Sequence, residues 1–212
     1  MSPDILMQAA ILLLTLGMLF ALYSLPRKAL SKLRTRGRSS LQANRHFLNG
    51  AQLLARARSA RSRSASLAIA KDAVGEADKA LSLEPRDAAA HILKALALDL
   101  LDRKPAALRS LDAALSPPAV RSLSDRERGD ALFKRAELQV EMNRGRRRAE
   151  AALSDLTEAV RLSPDNAKAW CILGRCRELM GSRDEARKAF EEAVRIEPGS
   201  VAAREGLNRS VS

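Results

Sequence analysis

The sequence predicts an all-α chain in two parts, one N-terminal transmembrane helix followed by about four helix pairs stacked in line. Three observations carry this. Residues 5–25 are apolar and uncharged. Hydrophobic residues make up 46% of the chain but aromatics only 3%, so the apolar mass is mostly Ala and Leu, good helix formers that build a thin core. Helical stretches also close on proline turns at a regular spacing, Pro85 to Pro118 and Pro164 to Pro198, 33 and 34 residues apart.

The first part reads ILMQAAILLLTLGMLFALYSL. A helix of that length spans about 31 Å, matching a hydrocarbon core of about 30 Å. Tyr23 stands where an interfacial aromatic belongs, and Pro26 closes the run. The acidic start and the long apolar stretch disfavour a cleaved signal peptide. A signal-anchor is therefore expected at 5–25, after a short tail at 1–4. Arg27, Lys28, Lys32, Arg34, Arg36 and Arg38 follow, with no basic residue before the span. Positive flanks stay cytoplasmic, which predicts a single-pass membrane protein whose C-terminal body faces the cytosol. The endoplasmic reticulum, the mitochondrial outer membrane and the plastid envelope are not distinguished. Asn208 in an Asn-Arg-Ser sequon offers a check, since its glycosylation would place the body in the lumen.

The net charge of +12 is concentrated at this end: residues 5–71 hold 12 basic residues and no acidic one. Residues 26–40 are expected to form a basic juxtamembrane linker. Contact with anionic lipid headgroups is a second reading of residues 27–63. Nucleic-acid binding is a weaker third, because Phe47 is the only aromatic in that stretch for stacking.

The second part carries a repeat. In AWCILGRCRELMGSRDEARKAFEEAVRIEP, beginning at Ala169, the residues Trp170, Leu173, Gly174, Ala186, Phe190, Ala193 and Pro198 recur at the spacing of a known pattern. The segment resembles the tetratricopeptide repeat, W-x2-L-G-x2-Y…A-x3-F…P, with Arg177 in place of the tyrosine. The small residues let two helices approach, Trp170 and Phe190 fill the spaces beside them, and Gly181 ends the first helix. Ser182 and Glu185 have capping-box spacing, as do Ser124 and Glu127. On this reading the units run over 41–87 (degenerate, with helices at 41–59 and 67–83), 88–121, 122–166 (with an insert at 122–128) and 167–200. A short tail at 201–212 covers the last apolar face.

The resemblance implies a right-handed solenoid whose concave face, lined by the first helix of each pair, binds a protein or peptide. By that analogy the groove residues are Ile92, Leu96 and Asp99, then Phe133, Glu137 and Val140, then Lys168, Cys171, Arg175 and Glu178. The subset of the family that clamps acidic chaperone tails uses a Lys and an Asn from the first unit, an Asn from the second, and a Lys and an Arg from the third, of which Lys168 would suit the last unit. Here Phe47, Ala51, Leu93 and Ile172 occupy the corresponding positions, so no such clamp is expected. Import receptors of the mitochondrial outer membrane share the layout, but no residue motif singles out that role.

No cofactor, metal, small-molecule substrate or catalytic activity is expected. His46 and His91 are isolated, and neither a metalloprotease helix motif nor a phosphate loop is present. Cys171 and Cys176 project about 140° apart on one helix and cannot readily pair. The sequence thus predicts a membrane-tethered adaptor. A structural subunit of a membrane complex is the competing reading.

Overall fold

The computed structural model describes residues 27–142 and 146–211, with side chains described for 39–142 and 150–210. The span expected at 5–25 lies outside the described residues. So do the side chains of Arg27, Lys28, Lys32, Arg34, Arg36 and Arg38. Among the described residues, no helix is long and apolar enough to cross a membrane. The chain divides into two units, Met1–Gln42 and Ala43–Ser212.

Among the described residues there is no strand. The elements are α1 (Arg27–Ser59), α2 (Arg63–Leu83), α3 (Ala88–Leu100), α4 (Lys104–Leu115), a 3-10 turn (Ala119–Ser122), α5 (Asp125–Met142), α6 (Arg146–Leu162), α7 (Ala167–Met180), α8 (Arg183–Ile196) and α9 (Val201–Val211). One difference from the sequence reading lies at the front: the stretch expected as a linker is assigned to helix α1 from Arg27 onward. The reason is compositional. Residues 27–59 hold no proline, only two glycines, and a run of Arg, Lys, Ala and Leu that favours helix. The loop expected at 60–66 is likewise shorter. The Ser62 hydroxyl accepts from the Ala65 N–H and starts α2 at Arg63.

The second unit is built from helical hairpins. Ion pairs record the antiparallel course: Lys94 to Asp78 at 2.7 Å between α3 and α2, and Lys104 to Glu141 at 2.9 Å with Arg135 to Asp112 at 3.0 Å between α4 and α5. The first helices of successive pairs therefore run in the same direction. Each turn has its own stop and start signal. Asp87 caps α3 by accepting from the N–H groups of Ala89 and Ala90. Pro105 stands in the first turn of α4, where its missing N–H costs nothing. Ser124 and Glu127 form the reciprocal capping box of α5. The Ser124 N–H donates to the Glu127 carboxylate at 2.8 Å, and the Glu127 N–H donates back to the Ser124 hydroxyl at 3.3 Å. Gly181 ends α7 with φ of 84°, a left-handed conformation that suits glycine.

The second expected capping box does not form. The Ser182 side chain makes no cap hydrogen bond, and the Glu185 carboxylate, the other half of the box, pairs with Arg177. The Ser182 N–H donates to the Arg177 carbonyl at 2.9 Å, so it is not open to the carboxylate. Arg177 holds the position where the repeat pattern has tyrosine.

The core is a chain of small clusters passed from helix to helix. Leu54, Ala73, Ala77, Leu93 and Ala97 join α1, α2 and α3. Ala95, Leu98, Ala107, Leu111, Ala131 and Leu138 join α3, α4 and α5. Ala136, Leu156, Val160, Ala169, Leu173 and Ala189 join α5 through α8. Cys171, Ala186, Phe190, Ala193 and Ala203 join α7, α8 and α9. Most buried positions are alanine, so the helices pack at short range and each cluster is local.

At the Phe190 site the close approach is explicit. A Cβ on Gly174 would stand 2.8–2.9 Å from the Phe190 ring, and one on Gly206 would overlap the same ring. Glycines on α7 and α9 thus make the slot for one aromatic side chain of α8, itself fully buried.

The pH dependence of the α1–α2 contact follows from Glu76. Hydrogen bonds from His46 at 2.8 Å and Lys79 at 2.6 Å hold its carboxyl below the ordinary value of 4.5. A lowered carboxyl contributes stability above its unfolded pKa and loses it as pH falls from about 4.5 through the folded value. The melting temperature of the wild type is therefore expected to fall more steeply below pH 4.5 than that of Glu76→Gln, read by circular dichroism. Parallel acid slopes would refute the assignment.

Candidate functional site

The first helices of the first three pairs enclose a trough. Phe47, Ala51, Leu54, Ala55 and Arg58 line it from α1, and Ala89, Ile92, Leu93 and Leu96 from α3. Leu123, Glu127, Asp130, Ala131 and Lys134 complete it from α5 and the turn before it. The spacings are helical: 47, 51, 54, 58 on α1, then 89, 92, 93, 96 on α3, and 123, 127, 130, 134 around α5. Each is one stripe of a helix facing the same space. The cavity is about 420 Å³. Its floor is apolar and its polar groups stand on the walls.

The electrostatics of the walls differ from one side chain to the next. Lys134 is already satisfied, donating to Asp99 at 2.7 Å and Glu137 at 2.6 Å. Burial alone would lower its pKa, but those two hydrogen bonds outweigh it and hold the ammonium charged. Glu127 is occupied by Ser124, whose hydroxyl and N–H hold its carboxyl below the usual range. Asp130 is different. Partial burial and the neighbouring Asp165 push its carboxyl up against a pull downward from Arg126, and it makes no hydrogen bond or salt bridge among the described residues. Arg58, on the α1 wall, has no salt bridge among the described residues either.

The structure separates the ten expected groove residues. Ile92 and Leu96 line the trough. Asp99 and Glu137 stand beside it and act on Lys134. Phe133 and Val140 are half-buried against the α5–α8 cluster. In the last pair, Lys168 and Arg175 are exposed, whereas Cys171 is buried against Ala203 of α9. Glu178 accepts two hydrogen bonds from Arg209 of α9, at 3.1 and 3.2 Å. The α7 residues Cys171 and Glu178 are therefore engaged by α9. Of the repeat-signature residues, Leu173, Gly174, Ala186, Phe190 and Ala193 are buried and Pro198 is exposed after α8. Trp170 is half-buried and its indole N–H donates to the Pro164 carbonyl at 3.0 Å.

Phe47, Leu54 and Leu123 belong to the trough and were missed as groove residues. Their signal was present, since Phe47, Ala51, Leu54 and Arg58 fall at helical spacing. Aligning Gly50 places Phe47 and Ala51 at the clamp positions of the pattern, but the degenerate first unit contributes no expected groove residue of its own.

Both cysteines are free and buried, and burial pushes both thiols up in pKa, with Arg175 pulling weakly the other way. Alkylation by iodoacetamide at pH near 8 is expected to be slow in the native protein and fast in urea. Rapid native alkylation would contradict the burial. No group of three or more His, Cys, Asp or Glu at metal-binding distance exists among the described residues.

These features define a helical-repeat solenoid with an open trough, and comparison with known proteins places the fold more closely. Residues 143–207 match the model of the tetratricopeptide repeat family. The structure of YrrB, a TPR protein described as having an unusual peptide-binding site, superposes with a TM-score of 0.57 at 22% identity. That match covers 68% of this chain and 69% of YrrB. MamA from Desulfovibrio magneticus RS-1, residues 41 to the end, gives 0.63 at 16% identity, over 80% and 83% of the two chains. Cut9 with Hcn1, from an APC/C hetero-tetramer, gives 0.63 at 13% identity, over 81% of this chain and 30% of that one. At these identities the likeness is one of fold, and the fold is a tetratricopeptide-type solenoid. No curated protein matches the sequence.

Proposed function

We propose that the protein is a membrane-tethered adaptor that holds a protein or peptide partner in the α1–α3–α5 trough and performs no chemistry itself. The observation that carries this is the trough: half-buried apolar side chains from α1 and α3, with Leu123 before α5, face one open space of about 420 Å³. Side chains of that kind left facing water mark a binding surface. The fold favours the same reading, because a solenoid presents its first helices side by side along one face. The tether is read from the uncharged, apolar residues 5–25 and the basic residues that follow them.

Two measurements test the proposal. The full-length chain is expected to stay with vesicles after alkaline carbonate extraction, and release into the supernatant would refute the tether. A fragment of residues 40–212 is expected to capture the same partner from cytosol as the full-length chain does. If capture requires the span, the structural-subunit reading replaces the adaptor.

A further inference from the structure

We draw no further inference here: the strongest candidate, the groove between α1 and α2 lined by Arg56, Lys71, Asp72, Glu76 and Lys79, holds mostly exposed charges that nearly balance, and nothing in the structure shows what covers it.

Discussion

Replacing Arg135 with alanine is expected to destabilise the helical body by about 3–5 kcal/mol, the largest single loss outside the apolar core. Arg135 on α5 donates to both oxygens of Asp155 on α6 at 2.7 Å each, and to Asp112 on α4 at 3.0 Å. The Asp155 side chain is only 10% exposed. Its attachment to Arg135 is the leading reason the guanidinium stays firmly charged, ahead of the opposing cost of burial. Truncation strands a buried carboxylate, and the cost of that charge dominates the cost of the lost hydrogen bonds. Urea unfolding of Arg135→Ala against the wild type measures it. The double variant Arg135→Met with Asp155→Leu should recover most of the loss, since an apolar pair leaves no charge behind. A single variant within about 0.5 kcal/mol of wild type would show that water reaches Asp155.

Phe190→Ala is expected to cost about 3–5 kcal/mol as well, but with a different geography. The ring is fully buried between Gly174 of α7 and Gly206 of α9. Neither glycine can fill the vacated slot. The cavity persists, and its size adds to the lost transfer energy. The α7–α9 cluster shares no residue with the α1–α3 cluster, and helices in a linear stack answer chiefly to their neighbours. Native-state hydrogen exchange should therefore accelerate in α7, α8 and α9 and stay close to wild type in α1, α2 and α3. Uniform acceleration would show that the body unfolds as one unit.

The two positions differ in how far they could be read from the sequence. Phe190 was visible, because Trp170, Gly174, Ala186 and Phe190 recur at the spacing of a repeat whose packing logic is local to one helix pair. The all-helical class was visible for a similar reason: Ala- and Leu-rich stretches and their closing turns are short-range signals. Arg135 was invisible. Its partners lie 20 and 23 residues away, on helices whose relative rotation no spacing rule provides. Gly206 was missed because its role depends on a ring in another helix. The groove was half legible. Ile92 and Leu96 follow from the register of the repeat, but the engagement of Cys171 and Glu178 by α9 depends on how a tail folds back. Phe47 and Leu54 sit in a unit whose pattern has eroded. The Ser182–Glu185 cap failed as an expectation: the Ser182 N–H is taken by the Arg177 carbonyl and the Glu185 carboxylate by the Arg177 guanidinium, contacts between two helices that spacing does not show.

The preponderance of alanine at buried positions has an engineering consequence. In most cores the harmful change is truncation, and added bulk is a route to extra stability. Here the buried faces carry mostly methyl groups, so a larger side chain at the fully buried Ala73, Ala97 or Ala186 is expected to act as a wedge between helices. Tolerance to substitution is inverted. Random libraries of this protein should lose folded members mainly through enlargements, and attempts to harden it should work on its surface charges instead of its interior.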